Sequence, residues 1–531
     1  SIAISLNNHA LGVFQWEGVA ETLATASAPA AWLDATPNRI NLVAALSQLP
    51  GLDFYSVSPD WVELTYPALA EAENDRIYVE AVAPGANEVA VAGFSTPQVQ
   101  VYDVRNGRAP VQLTTTQAAA ANGAFTLHFW DADLPGPTYF LTSEAAQLAP
   151  LAIEPDAPST WRTPEHAADY IAIVHASLAA AIQPLLDYRA AEGLRVAKVD
   201  VQDIYDEFSF GLRDPEAIRS FLTYAYGNWN GGGARPQYVL LVGDGHYDFT
   251  GVSNTTYPNL IPPYLVNVDP WLGETASDNR FVSVDGPADY LPDMAIGRIP
   301  ARTPADVTAF VNKAIAYETS APAGDWQARA VFVADSDTDP AGNFHAFSDE
   351  VRLGWLPAPY DSRTIYYNRD YFSAADMRTA IKAAFNNDAL LLQWFGHGSR
   401  FRWGSVSMFN TLDPPALAAN DAWPFSVTYA CWTGYFINLF VFGTGQSLAE
   451  TLLLTPQRGS VADLSPSGLH VGDALLVLNE GLTQALFRQR LERVGQAVNE
   501  AKRYYFGHAG SFYDVIDTSV LFGDPALKLR L

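Results

Sequence analysis

The chain has a single cysteine, Cys431, directly after the apolar run FSVTYA (425–430). A lone cysteine is more often a small buried apolar residue than a nucleophile. Here it stands where a predicted buried strand ends, with Gly434 three positions further on. In open α/β sheets, sites lie just beyond the carboxyl ends of the strands. The placement therefore favours a thiol presented for chemistry.

A histidine follows a second apolar run in the same way. The stretch ALLLQWF (389–395) leads into Gly396, His397 and Gly398. A thiol attacks as the thiolate, and an imidazole can take its proton and later hand it to a leaving amine. We therefore predict a Cys–His dyad. Gly398 would let a backbone N–H point into the site beside that of Cys431 as an oxyanion donor. The alternative is a tight Gly-His-Gly turn with a surface histidine.

The elements that must position this pair belong to an α/β region. From about residue 165 to the end, strand and helix patterns alternate, which predicts parallel sheets with helices on both faces. The alternation restarts after about residue 320. We therefore expect an α/β sub-domain over 165–320 and a catalytic one over 321–531.

Residues 1–155 have a different pattern. Short alternating runs, including 61–67, 88–94 and 125–130, are separated by Gly, Pro and Asn, as in an all-β, sandwich-like domain. The Pro-rich stretch 149–166 is typical of a linker. This domain is expected to be either a prodomain or an accessory module.

Ordered motifs carry a family resemblance. WFGHGSRFRWG (394–404) and FSVTYACWTGYF (425–436) resemble the catalytic core of the gingipain family of cysteine peptidases, peptidase family C25, in the caspase clan. YVLLVGDGHYD (238–248) and VLFGDPALKLRL (520–531) resemble further family segments, so the likeness covers about 165–531. It implies a caspase–haemoglobinase-like fold with doubly wound parallel sheets in two sub-domains. It also implies endopeptidase activity through a thioester, with no cofactor required for the chemistry.

The resemblance also implies roles for individual residues. Cys431 would be the nucleophile and His397 the general base and acid. The family's third member, a glutamate, corresponds by position to Asp337, a shorter acid. Asp335 is the competing candidate.

The primary specificity pocket is less clear from the motifs. Because strand side chains alternate, Phe395 and Tyr429 should line it, and Trp403 of the family motif is a further candidate. Asn343 stands near the place of an acidic residue in basic-specific members, and Asp339 or Asp349 could substitute for it. These residues predict either a weak preference for a basic residue, Arg above Lys, or a preference for small and apolar residues.

Two arginines follow the histidine without a counterpart in the family pattern. Arg400 and Arg402 are either solvated surface residues or ligands for an acidic or C-terminal group of a substrate.

The net charge of the chain limits the partners that can be expected. The net charge of −27 argues against nucleic acid, since an acidic surface repels phosphates. Family members bind calcium, and Asp244, Asp278 and Asp285 are candidate ligands for a structural Ca²⁺; the alternative is that they cap turns. No 18-residue uncharged apolar run occurs, so no transmembrane helix is predicted.

These observations predict a secreted or cell-surface bacterial cysteine endopeptidase that acts on proteins or peptides. No signal peptide is recognisable at the start, SIAISLNNHALGVF. One alternative is a processing peptidase or transpeptidase of the same family, acting on the C-termini of secreted proteins. Another is an inactive adhesin or binding module. The sequence makes no prediction of oligomeric state.

Overall fold

A computed structural model describes most of the chain. The described residues are 1–16, 22–34, 37–44, 61–80, 88–107, 109–114, 116–121, 123–130, 138–153, 155–229, 235–249, 251, 257–271, 273–286, 289–386, 389–439 and 445–531. They form two compact units, Ser1–Ala157 and Pro158–Leu531.

The first unit contains ten strands in three sheets. The strands are β1 (Ile2–Leu6), β2 (His9–Phe14), β3 (Ile40–Ala44), β4 (Arg76–Glu80), β5 (Glu88–Phe94), β6 (Val99–Asp103), β7 (Val111–Leu113), β8 (Thr116–Ala121), β9 (Ala124–Trp130) and β10 (Thr138–Ser143). The sheet orders are β2-β1-β3, β4-β10-β6-β7 and β5-β9-β8. Buried side chains from the latter two sheets, including Val101, Phe129 and Leu141, share one core, as in a sandwich.

One expected strand of this unit does not form. Residues 61–67 are described without strand structure, and the side chains of Trp61, Val62 and Tyr66 are exposed. Alternation of apolar residues specifies a strand only where a neighbouring strand pairs with it and one face is covered.

The second unit contains the remaining fifteen strands. They are β11 (Tyr170–Val174), β12 (Val196–Asp200), β13 (Tyr238–Val242), β14 (Leu265–Asp269), β15 (Gly273–Ala276), β16 (Ala295–Ile299), β17 (Arg329–Ala334), β18 (Asp361–Tyr366), β19 (Leu391–Phe395), β20 (Gly398–Ser399), β21 (Arg402–Trp403), β22 (Phe409–Asn410), β23 (Phe425–Tyr429), β24 (Ala462–Pro466) and β25 (Ser519–Phe522).

In the described part of this unit, eleven α-helices alternate with the strands. They are α1 (Ala179–Ala191), α2 (Val201–Ser209), α3 (Pro215–Asn228), α4 (Asn279–Val282), α5 (Pro304–Ser320), α6 (Phe344–Gly354), α7 (Ala374–Phe385), α8 (Leu448–Leu454), α9 (Gly472–Thr483), α10 (Val494–His508) and α11 (Asp514–Thr518). A π-helical turn over Gln484–Arg488 follows α9.

Ten of the strands form one continuous sheet. Its order is β12-β11-β13-β16-β25-β24-β23-β19-β17-β18, and only the β24–β25 pair is antiparallel. Residues 165–320 supply the first four strands of this order and residues 321–531 the other six. The strands are buried on both faces, as parallel strands between helix layers are.

Separate hydrophobic clusters on the two faces of this sheet complete the core. Ile171 and Val239 pack among α2 and α3 on one side, whereas Tyr170 and Leu240 face the larger cluster that includes α1 and α5. An all-β region followed along the chain by a mixed α/β region is thus confirmed. Within the described residues, no helix has the length and apolar character needed to cross a membrane.

Candidate active site

The cysteine and the histidine leave the sheet from adjacent strands at the same edge. β19 and β23 are parallel neighbours, with Phe395 paired with Tyr429. His397 and Cys431 each stand two residues beyond that pair. The backbone N–H of Gly396 donates to the carbonyl oxygen of Tyr429 at 3.2 Å, which continues the strand pairing towards the site.

A glycine allows the two loops to pack together. A Cβ placed on Gly398 would lie 2.6 Å from the carbonyl oxygen of Cys431 and 2.7 Å from Cβ of Ala430. Contacts this short are not found for real side chains, so the backbone after His397 rests on the backbone of the loop that carries Cys431 only because Gly398 has no side chain. The glycine predicted beside the dyad is therefore required for close approach.

An aspartate holds the histidine ring. Nε2 of His397 lies 3.0 Å from Oδ2 of Asp339, and the two side chains are 38% and 23% exposed. The ring of Phe344 meets the imidazole edge-on, with centroids 5.4 Å apart. Partial burial raises the pKa of Asp339, but the N–H of Ala341, which donates to Oδ1 at 2.8 Å, and the His397 ring together hold this pKa below its ordinary value.

The two acids named from the sequence lie elsewhere. Asp335 is buried; its Oδ1 accepts the N–H of Ser336 at 2.9 Å, and its Oδ2 has no hydrogen-bond partner among the described residues. Burial raises the pKa of Asp335. The Asp337 carboxylate lies 3.9 Å from Nδ1 of a different histidine, His345. The acid on the His397 ring is thus neither of the two expected ones, because the loop after β17 turns once more before it reaches the ring.

The cysteine thiol is only partly accessible. Sγ of Cys431 donates to the carbonyl oxygen of His470 at 3.7 Å. Burial raises the pKa of the thiol, and the charge of Asp269 acts in the same direction. A thiol with a raised pKa needs a base when it reacts.

Two residues expected to line the specificity pocket are instead part of the core. Phe395 and Tyr429 are 2% and 1% exposed, and their rings stack 5.6 Å apart. Phe347 of α6 packs on Phe395 at 5.5 Å, and Phe344 of the same helix does so at 6.3 Å. The rings of Phe395 and Tyr429, covered by α6, thus fill the space beneath the strand ends that lead to His397 and Cys431.

The other two predicted pocket residues also have structural contacts. Trp403 is fully buried, its ring stacks parallel to Trp394 at 5.4 Å, and its Nε1 donates to Oγ1 of Thr428. The exposed Asn343 is the N-cap of α6, where its side chain accepts the N–H of Ala346 at 3.0 Å.

The remaining candidate acid in this region, Asp349, is also engaged. Its carboxylate pairs with Arg352 and Arg369, each at 2.9 Å, and accepts the hydroxyl of Tyr366.

The predicted metal ligands do not come together. Asp244 is buried against Nε of Arg302 at 2.6 Å, and Asp278 receives both Nε and Nη2 of Arg298 at 2.7 Å. Each carboxylate is therefore neutralised by an arginine, and the two cannot share one cation with Asp285. Asp285 lies on the surface in the single group of acidic side chains found in the described part of the chain whose ligand atoms are all within 4.8 Å, namely Asp285, Asp289 and Asp293.

A family model places the chain among known peptidases. The model of peptidase family C25 matches residues 163–530. The chain belongs to peptidase family C25. It is therefore a member of a family of cysteine peptidases. Among its relatives, Gingipain R2 of Porphyromonas gingivalis is 26% identical over 371 residues, which cover 66% of this chain and 44% of that protein. Lys-gingipain W83 of the same organism is 22% identical over 276 residues, or 50% of this chain and 14% of that protein.

Solved structures of C25 peptidases share the fold. The Arg-specific cysteine proteinase gingipain R superposes with a TM-score of 0.55 at 21% identity, covering 70% of this chain and 80% of that one. The complex of the pro- and mature domains of RgpB from Porphyromonas gingivalis gives a TM-score of 0.55 at 20% identity, over 68% and 79% of the two chains. The caspase–haemoglobinase-like class expected for this C25 member is confirmed. The chain spans less than half the length of the curated relatives it matches.

Proposed function

We propose that this chain is a cysteine endopeptidase in which Cys431 is the nucleophile, His397 the general base and acid, and Asp339 the residue that orients the imidazole. The observation that carries the proposal is the 3.0 Å contact between Asp339 and a partly exposed His397 at the strand end adjacent to that of Cys431.

The contact with Asp339 supports Nδ1 of His397 as the base. With Nε2–H donated to the Asp339 carboxylate, the neutral imidazole has its lone pair on Nδ1. Nδ1 would take the proton of the Cys431 thiol as Sγ attacks the substrate carbonyl carbon. The imidazolium would then protonate the leaving amine, which leaves a thioester on Sγ, and water activated by the same nitrogen would hydrolyse it. Because burial raises the pKa of the thiol, proton transfer and attack are expected to be coupled.

The oxyanion stabilisers remain those predicted from the sequence. The backbone N–H of Cys431 makes no hydrogen bond to any residue in the described part of the chain. The close approach of Gly398 keeps the histidine loop beside it. Two backbone donors on these loops would stabilise the charge that develops on the substrate oxygen.

Replacing Asp339 and Asp337 in turn tests which of these two acids orients the imidazole. Asp339→Asn should lower kcat/KM by about 10- to 1,000-fold, because the amide no longer fixes the tautomer or stabilises the imidazolium. Asp337→Asn, an equal change two residues away, should stay within about threefold of the unaltered protein. Steady-state kinetics with one peptide substrate measure both. If the Asp337 variant is the impaired one, Asp339 is not the orienting acid.

The filled space beneath the dyad predicts the specificity. Because Phe395, Tyr429 and Phe347 occupy it with rings, a long basic side chain has little room before the cleaved bond. We expect kcat/KM for Ala at that position to exceed the values for Arg and Lys by at least about tenfold. A peptide library that varies this one position measures the ratio. A tenfold preference for Lys would instead require an accessible carboxylate in the pocket and would contradict this interpretation.

Localisation and metal binding are proposed from the family resemblance alone. Secretion or surface attachment fits a peptidase that acts on proteins outside the cell. A structural Ca²⁺ would have to use Asp285 with Asp289 and Asp293 rather than Asp244 or Asp278, which arginines already neutralise.

The peptide library also separates the alternatives. Hydrolysis of internal bonds supports the endopeptidase, whereas transfer of the acyl group to an added amine would indicate a transpeptidase, in which an amine replaces water at the thioester. No turnover and no reaction of the thiol would indicate a binding module.

A further inference from the structure

An arginine next to the dyad is held among aromatic rings. Arg400 follows His397 by three residues, at the turn between β20 and β21. Its guanidinium carbon lies 4.5 Å from the ring centroid of Phe401 and 5.9 Å from that of Tyr435. Tyr435 belongs to the nucleophile loop, four residues after Cys431. The positive charge of Arg400 is thus located between the histidine loop and the cysteine loop.

The N-terminus of α8 fixes this position. The backbone N–H of Leu448 donates to the carbonyl oxygen of Arg400 at 2.8 Å, and the next N–H, of Ala449, donates to that of Thr433 at 3.1 Å. One helix therefore holds both loops, and the backbone that carries Arg400 is fixed relative to the loop that carries the thiol.

Among the described residues, no carboxylate forms an ion pair with this arginine. The buried Nε of Arg400 also has no hydrogen-bond partner in that part of the chain. Other buried arginines of this unit differ, since Arg298 and Arg302 are each paired with an aspartate. The nearby Glu450 is held elsewhere: its carboxylate accepts the N–H of Ser447 at 2.6 Å and lies 3.9 Å from Arg302.

The charge of Arg400 nevertheless persists. Burial lowers the pKa of its guanidinium, while Tyr435, Tyr257, Tyr247 and Glu450 act in the opposite direction. An arginine pKa begins so high that the side chain remains protonated at neutral pH. The chain has a net charge of −27, yet this partly buried guanidinium beside the nucleophile loop forms no ion pair among the described residues. An incoming anion can therefore form that ion pair.

We infer that Arg400 binds a carboxylate of the substrate peptide and so makes this peptidase selective for substrates that carry an acidic group near the cleaved bond. The inference rests on the proposed peptidase function and adds the substrate class to it. The carboxylate can come from an Asp or Glu side chain or from the free C-terminus of a peptide, because the planar guanidinium engages both with two parallel hydrogen bonds.

The test compares peptides that differ only in this charge. A Glu is moved through each position on both sides of the cleaved bond, each peptide is matched with its Gln counterpart, and a free C-terminus is compared with an amidated one. For the unaltered protein, we expect one position, or the free C-terminus, to raise kcat/KM by about 10- to 100-fold over the neutral partner. The position that responds distinguishes a side-chain carboxylate from a terminal one.

Variants assign the preference to one side chain. Arg400→Gln should bring the Glu/Gln ratio at the responsive position to about 1. Arg400→Lys keeps the charge but loses the planar fork, so it should lower the ratio without abolishing it, and it serves if the Gln variant does not fold. Arg402→Gln is the matched control, because Arg402 is an exposed arginine on the same hairpin, and it should keep the ratio.

The outcomes separate this inference from the function on which it rests. Cleavage with a Glu/Gln ratio near 1 at every position, together with equal cleavage of free and amidated C-termini, would overturn the role of Arg400 and leave the peptidase intact. A ratio that persists in Arg400→Gln would do the same. Absence of cleavage of any peptide would overturn the proposed function, and the role of Arg400 with it.

Discussion

Cys431→Ala should be inactive, with kcat/KM lowered by at least about 10³-fold, because no other side chain can form the thioester. The free energy of unfolding should change by no more than about 1.5 kcal/mol, since only one sulfur atom is removed from a partly exposed site. Peptide cleavage and thermal or denaturant unfolding measure the two quantities.

Chemical labelling provides an independent measurement of the same residue. Cys431 is the one cysteine of the chain, so iodoacetamide should add once and abolish the activity of the unaltered protein. The control is Cys431→Ala, which should take up no label. An alanine variant that still cleaves peptides would rule out the cysteine mechanism.

Loss of the imidazole should have the second largest effect. His397→Ala should lower kcat/KM by about 10²- to 10⁴-fold, because the thiol, whose pKa is raised by burial, loses the base that takes its proton. Iodoacetamide should still alkylate Cys431 in this variant at high pH, where the thiol ionises without help. Kinetics and labelling together thus distinguish a missing base from a disrupted site.

The matched control for His397 is a second histidine beside an aspartate. His345 lies 3.9 Å from Asp337, hydrogen-bonds to the carbonyl oxygen of Tyr367 at 2.8 Å, and stacks on Tyr366. His345→Gln should keep kcat/KM within a few fold, after correction for any loss of folded protein. If both variants lose activity equally, the contact between His397 and Asp339 has no special role in the reaction.

The third acid illustrates what position alone could not resolve. Asp335, Asp337 and Asp339 alternate along one loop, and the sequence offered the first two as partners of the histidine. In the structure, the Asp335 carboxylate accepts the N–H of Ser336, that of Asp337 lies near the His345 ring, and that of Asp339 contacts the His397 ring. The sequence did hold a signal for a turn at Asp339, since an aspartate often accepts the backbone N–H two residues on. In the structure, the Asp339 carboxylate accepts the N–H of Ala341.

For the pocket residues and the metal ligands, too, position along the sequence was not enough to predict the contacts. Strand alternation places Phe395 and Tyr429 on one face of the sheet, but it does not reveal whether that face is open. The helix α6 covers it with Phe344 and Phe347. Likewise, an aspartate in a loop is a possible calcium ligand until its neighbours are known, and Asp244 has an arginine as its neighbour.

The sequence by itself determined the α/β class, the placement of Cys431 and His397 at neighbouring strand ends, and the glycine between their loops. Those features follow from local patterns: an apolar strand that ends in a reactive residue presents it at the sheet edge, and parallel strands share that edge. The tertiary structure decided which acid holds the imidazole, which aromatic rings fill the core, and that Arg400 lies beside Tyr435 without an ion pair among the described residues. These depend on contacts between segments far apart in the chain, and burial and ion pairing are set by the neighbours that folding brings together rather than by spacing along the sequence.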